Sequence, residues 1–300
     1  ERDALAGLCA GVHILLEPVT AGVLLALFAF GTGKAALMPL HRWLPAAMVA
    51  PTPVSALLHA VAVVKAGVFT ILKVGVYIFG TDLLGSGGAS VWLMYVAGAS
   101  LLTASLIALT RDNLKERLAY STISQLAYIV LGVALATESG VIGSGMHIVM
   151  HAFGKITLFF CAGAILIGAH KTRVSELDGL GRRMPWTFAA FSVGALSVIG
   201  LPPVGGCWSK WFLALGTVEV GQWPLLGALM VSSLLNIAYL VPIPLRGFFR
   251  EAPGATAEGA TGGEAPLACV IPLCLTASGC VVLFFCADPI YQFLLSVVSK

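Results

Sequence analysis

The segment HIVMHAFGK places His147, His151 and Lys155 at successive steps of four. On a helix each such step rises about 6 Å and turns the chain only about 40°, so the three side chains share one face over about 12 Å. A lone histidine on an apolar face is ordinarily a satisfied core residue. Three titratable groups in register along an apolar helix are stepping stones for a proton.

Four more lysines stand in apolar runs: Lys34, Lys65, Lys73 and Lys210. The 14 acidic residues fall in loops, at segment edges or in tails, so none sits mid-segment beside a lysine. A lysine at the centre of a membrane helix costs roughly 2.5–3.5 kcal/mol on insertion scales, which demands a reason. Snorkelling to the interface is one reason, and Lys73, near the end of its run, fits it best. Lys65 and Lys155 lie near the middle of their runs. Burial disfavours the charged form of a lysine, which brings its titration toward neutral pH, where a proton carrier must work. Lys34 follows GTG and Lys210 follows GLPPVGGCWS, so glycine and proline interrupt the helix beside each. Helices broken in corresponding places mark transport sites, because unwound backbone has to line a cavity rather than lipid.

The elements that position these groups follow from composition. The chain has 300 residues, 58% hydrophobic and 10% charged, with a mean hydropathy of +0.96. Soluble domains hold about 25% charged residues. Uncharged stretches such as Val91 to Leu109 and Leu118 to Ala136 are long enough for a hydrocarbon core of roughly 30 Å. The chain reads as an all-α, polytopic membrane helix bundle with about eight spans: 18–39, 53–80, 91–109, 118–136, 141–169, 186–216, 222–245 and 267–287. The loops 81–90, 137–140 and 217–221 carry no Lys or Arg, whereas the alternate loops hold Arg42, Arg111, Lys115, Arg117, Lys171, Arg173, Arg182, Arg183, Arg246 and Arg250. By the positive-inside rule these ten mark the inner face, and Trp92, Trp186 and Trp223 sit at span entrances as interfacial rings do. The run EAPGATAEGATGGEAP reads as a flexible linker, and DPIYQFLLSVVSK as a short interfacial tail.

Several chemistries find no motif. The seven cysteines form no CxxC pair, so helix packing explains them better than metal or disulfides. GTGK fails as a phosphate-binding loop, because Phe28 stands where glycine is needed and Ala35 follows the lysine. No dinucleotide, haem or iron–sulfur motif occurs, so no cofactor, metal or redox centre is expected in this chain. A net charge of +3 points away from nucleic acid. The opening residues ERDALAGLCAGVHILLEP show no signal-peptide pattern and read as an interior segment, 1–17, of something longer.

The motifs KAALMPLHRWLPAAMVAPTPVSALLHAVAVVKAG, LAYSTISQLAYIVLG, HIVMHAFGKITLFFCAGAI and MPWTFAAFSVGALSVIGLPPVGGCWSKW occur in order. Together they resemble the antiporter-like proton-translocating subunits of respiratory complex I and of Mrp-type multisubunit Na⁺/H⁺ antiporters, over residues 18–245. The resemblance implies inverted repeats, with 18–80 ending the first, 81–245 forming the second, 246–266 a loop and 267–300 a final span and tail. It maps Lys34 and Lys210 onto the broken-helix lysines, Lys65 onto the following helix, and His147, His151 and Lys155 onto the connecting helix. His59 enters only through the resemblance. The family's glutamate that pairs with the first lysine has no counterpart, since Glu17 is misplaced. That fits a missing N-terminal portion.

TPVSALLHAVAVVKAG and GLPPVGGCWSKW are closer to the Mrp-type antiporter subunits than to those of complex I. The expected function is proton conduction within a multisubunit monovalent cation (Na⁺)/proton antiporter in a bacterial inner membrane, with other membrane subunits as partners. The alternative is the pump arm of an NADH:quinone oxidoreductase, whose partner subunits would carry the redox centres. A related member of the family energises inorganic-carbon uptake, and the resemblance leaves that reading open. A degenerate scaffold is the third reading, and the retained lysines argue against it.

Overall fold

The computed structural model describes residues 18–86, 88–251 and 263–298. The expected segment 1–17, including Glu17, and most of the glycine-rich linker lie outside the described residues. Among the described residues ten principal helices follow in order. They are α1 (Pro18–Gly31), α2 (Thr52–Phe79), α3 (Val91–Thr110), α4 (Leu114–Ala134) and α5 (Glu138–Ala169). After these come α6 (Pro185–Ile199), α7 (Gly206–Glu219), α8 (Trp223–Leu240), α9 (Leu267–Phe285) and α10 (Asp288–Val298). Among the described residues there is no strand, only an isolated bridge between Asn113 and Arg173.

By length and composition, five helices can cross a membrane: α2, α3, α5, α8 with its Pro242–Phe249 continuation, and α9. The helix α5 is the axis. Its 32 residues make a rod of about 48 Å, and α2, α4, α6, α7, α9 and α10 all pack on it. Thr137 caps its start by accepting a bond from Gly140 N, and His170 ends it in the left-handed conformation. Beside it runs α4, capped by Asn113, with nearly every residue buried. Because α4 is enclosed by protein, it tolerates Ser121, Thr122, Ser124 and Gln125 where a lipid-facing helix would need apolar residues. The outermost span, α9, buries only 22% of its apolar window, against 56% for α5.

The broken helices appear where expected, with sharper boundaries. The first expected span, 18–39, is helical only to Gly31. A short 3₁₀ turn at Gly33–Ala35 follows, with Ala36 left-handed and a cis Met38–Pro39 bond. The sixth, 186–216, is two helices. Gly200 ends α6 at φ +89°, a region open to glycine, and a loop with a cis Pro202–Pro203 bond leads to α7. At Gly206 an added Cβ would lie 1.8 Å from the Ser197 carbonyl oxygen, so the two half-helices meet backbone to backbone. The helix α2 also departs from the regular form, with π-helical turns at Leu57–Val61 and Gly75–Phe79. Such turns recur at functional sites, and the first carries His59.

The basic loops are tied together. Asp178 accepts from Arg246 Nε at 2.7 Å and lies 3.8 Å from Arg250. The Arg246 hydrogen bonds hold the Asp178 carboxyl below the usual carboxylate range. Glu264 accepts from Trp186 N at 3.0 Å and from Thr187 Oγ1 at 2.5 Å, so it caps the start of α6. The C-terminal tail is the helix α10, which lies against α5 with Tyr291 stacked on Phe212 and Leu294 over Gly145.

Candidate functional site

Four helices bring together the residues that the sequence singles out. From α2, Lys65 reaches across to α5, its Nζ 2.6 Å from His151 Nδ1. Both side chains are buried. One helical turn away, the His147 ring stacks on that of His151 with centroids 5.7 Å apart. On its other side His147 stacks on Tyr128 of α4, again at 5.7 Å. The Tyr128 ring in turn carries the Lys210 ammonium, 4.8 Å from its centroid. Lys65, His151, His147, Tyr128 and Lys210 therefore form one continuous row through the interior.

The hydrogen-bond partners fix how protons are arranged along it. Lys65 in its ammonium form donates to His151 Nδ1, which makes His151 Nε2 a donor. His147 Nδ1 lies 2.9 Å from Ser209 Oγ, and that hydroxyl donates to the Gly206 carbonyl. His147 Nδ1–H is then the donor to Ser209, which leaves His147 Nε2 as an acceptor. Both Nε2 atoms are buried without a partner. A donor on one imidazole and an acceptor on the next is the polarity a stepwise transfer requires.

The break between α6 and α7 explains Lys210. Its Nζ donates to the Ile199 carbonyl at 2.9 Å and to Ser233 Oγ at 3.1 Å. Ile199 is the last residue of α6, where unpaired carbonyls and the helix dipole favour a cation. Lys155 lies apart from the row, on the face of α5 toward α4. It is fully buried, with its ammonium 2.6 Å from Ser121 Oγ and 3.3 Å from the Leu118 carbonyl. Among the described residues no carboxylate forms an ion pair with Lys65, Lys155 or Lys210. Neutral oxygens and rings hold them instead.

The remaining residues stand elsewhere. Lys34 is exposed beside the first break, and Lys73 is exposed on α2. His59 is buried with neither ring nitrogen bonded, its ring 5.4 Å from that of Phe159. Sequence reasoning missed Ser121, Tyr128, Ser209, Ser233, Asn236 and Tyr239. For Ser121 and Tyr128 a signal was present, because Ser121, Gln125 and Tyr128 stand at i, i+4 and i+7 and so share one face of α4. No site for a metal formed by three or more His, Cys, Asp or Glu side chains occurs among the described residues.

A membrane helix bundle with two broken helices and a buried row of bases defines an antiporter-like class. Comparison with known proteins gives the family. Residues 12–236 match the family described as "NADH:quinone oxidoreductase/Mrp antiporter, TM", and the chain belongs to it. It is 36% identical over 290 residues to NADH-quinone oxidoreductase subunit N of Desulforudis audaxviator, covering 91% of this chain and 57% of that protein. The membrane-bound sulfane sulfur reductase, an archaeal respiratory membrane complex, contains a chain that superposes with a TM-score of 0.82 at 26% identity, over 97% of this chain and 60% of its own. A chain of the Mrp complex from Dietzia sp. DQ12-45-1b superposes with a TM-score of 0.81 at 24% identity, over 92% and 59%, and so shares the fold. The chain thus spans a little more than half the length of these relatives.

Proposed function

We propose that this chain is the proton-conducting part of an antiporter-like subunit in a multisubunit membrane complex. The observation that carries the reading is the interior row of contacts from Lys65 through His151, His147 and Tyr128 to Lys210. A proton leaving Lys65 passes to His151 Nδ1, and His151 releases one from Nε2 toward His147. Lys210 loads or unloads as the break at Ile199 hydrates. Like charges at neighbouring sites repel, so protonation at one end raises the cost of a charge at the other. Lys34, exposed beside the other break, and His59, on the π-helical turn, extend the path in this reading. In this reading residues 18–80 are the end of one repeat and 81–245 a second repeat.

In the first form of the proposal, the conducted proton exchanges for a monovalent cation such as Na⁺, in a bacterial inner membrane. The 36% identity to an NADH-quinone oxidoreductase subunit supports a second form, in which electron transfer in partner subunits drives the same row. The test uses the full-length gene expressed with its neighbours in everted vesicles. A pH gradient that collapses on adding Na⁺, and no longer does so in Lys65→Ala, supports antiport. A gradient built by NADH oxidation and lost in Lys65→Ala supports the respiratory form. Wild-type behaviour of Lys65→Ala in both assays would refute the relay.

A further inference from the structure

Ser121, Gln125 and Tyr128 share one face of α4, and the outer two are occupied. Ser121 Oγ holds the Lys155 ammonium at 2.6 Å and lies 2.8 Å from Tyr239 Oη, which also bonds Asn236. Tyr128 Oη donates to the Leu229 carbonyl at 3.1 Å, and its ring stacks on that of His147. Gln125, between them, is fully buried, and neither its Oε1 nor its Nε2 has a hydrogen-bond partner among the described residues. Leaving both ends of an amide unpaired in an interior is costly, so a buried glutamine calls for a polar neighbour.

The register of the helix pair says which neighbour. Along antiparallel α4 and α5, Ser121 meets Lys155, Tyr128 meets His147 and Gly132 packs on Ser144. Each residue forward on α4 is matched by about one residue back on α5, which sets Gln125 at the level of Met150 and His151. The Met150 sulfur lies against Gly205, before the start of α7. That leaves His151, whose Nε2 is buried and unpartnered, as is the Nε2 of His147 one turn away.

These two imidazoles cannot bond each other directly. Their rings are stacked, with 5.7 Å between centroids and 23° between planes. An imidazole N–H points outward in the plane of its own ring, and a hydrogen bond weakens steeply away from linearity. The His151 N–H and the His147 lone pair therefore run side by side. A proton moving from one to the other needs a carrier beside the stack, at the level where Gln125 stands.

We propose that Gln125 is a positioning residue for the relay, holding one water that bridges His151 Nε2 and His147 Nε2. The proposal rests on the relay reading above. The water accepts from His151 Nε2–H and donates to His147 Nε2 and to Gln125 Oε1, about three bonds, as is usual for a buried water. In the step, the N–H bond at His151 Nε2 breaks as its proton joins the water oxygen, and a second proton leaves the water for His147 Nε2. The net change is one proton lost by His151 and one gained by His147, with the water restored. That water then accepts from His147, donates to His151 and still donates to Gln125 Oε1. The amide oxygen is the same acceptor before and after the step, and it takes no proton itself.

Two variants of the full-length protein, studied with its partner subunits in vesicles, test this. Gln125→Met keeps the length of the side chain and removes both polar ends, and proton flux is expected to fall roughly tenfold or more. Gln125→Glu keeps an acceptor oxygen in place. Its flux is expected to be near wild type at acidic pH and to fall as pH rises, because a carboxylate beside His147, His151, Lys65 and Lys155 holds the proton on them. A merely structural Gln125 predicts the reverse order, since methionine suits an apolar interior and glutamate does not. Wild-type flux in Gln125→Met while Lys65→Ala abolishes flux would overturn the assignment and leave the relay standing. So would equal loss in the two variants at every pH, or a wild-type pH profile in Gln125→Glu, which decides the matter should Gln125→Met not assemble. Unchanged flux in Lys65→Ala would remove the relay reading itself.

Discussion

Lys34 and Lys210 each stand at a glycine- and proline-marked break, yet their surroundings differ. Around Lys210, the end of α6 supplies the Ile199 carbonyl, α8 supplies Ser233 and α4 supplies the Tyr128 ring. Around Lys34 the described elements touch the backbone instead. Trp43 Nε1 donates to the Gly33 carbonyl at 3.0 Å, and Gly67 of α2 packs so close that an added Cβ would sit 2.6 Å from the Lys34 carbonyl carbon. The Lys34 side chain itself is exposed. Converging helices thus make the second break a site that holds a cation.

Substitutions that treat the two lysines alike should expose that difference. Arginine retains the charge but does not release it near neutral pH. Lys210→Arg is expected to lower proton flux in vesicles by about 10²-fold, the usual weight of a positioned proton donor. Its bulk must also enter the space between Ile199, Ser233 and Tyr128, so the melting temperature in detergent should drop. Lys34→Arg leaves the Trp43–Gly33 bond of the first break untouched and is expected to cost less stability than Lys210→Arg. An equal loss of stability in the two variants would break the comparison.

The backbone of each break gives the next contrast. Gly206→Ala forces a methyl onto the Ser197 carbonyl and is expected to destabilise by about 3 kcal/mol, the upper range for overpacking. An added Cβ at Gly33 meets nothing within 4 Å, so Gly33→Ala should be nearly neutral in the same thermal unfolding assay. Smaller effects come from the ties that hold α6 in place. Glu264→Ala removes the cap on Trp186 N and Thr187, which should cost about 1 kcal/mol.

The smallest effect belongs to Asp178. Its carboxyl is held low by the Arg246 hydrogen bonds. A depressed carboxylate contributes stability above its unfolded pKa of about 4 and loses it as pH falls through the lower folded value. Wild type should therefore lose stability on acidification below about pH 4 relative to Asp178→Asn. The difference should stay under about 1 kcal/mol because the pair is near the surface. A pH-independent difference would remove the ion pair from the account.

Much of this was legible along the chain. Apolar run lengths marked the helices, the distribution of Lys and Arg marked the basic face, and the four-residue spacing of His147, His151 and Lys155 put them on one side of α5. The π-helical turn under His59 was not legible, because one extra residue in a turn leaves no compositional trace in an apolar run. The sequence also left His151 and Lys155 as neighbours on a single path. In the fold, His151 faces Lys65 on α2 and Lys155 faces Ser121 on α4, so the stripe divides between two helices.

What the residues alone determined is therefore local: which segments are helical and where they break. Periodicity and backbone preference act over a few turns, and these features need nothing more. Which base meets which partner was decided only by the packing of α2, α4, α6 and α7 around α5 and of α8 against α4. Those contacts join residues 34 to 118 positions apart, and a distance of about 3 Å between such residues is a property of the assembled bundle.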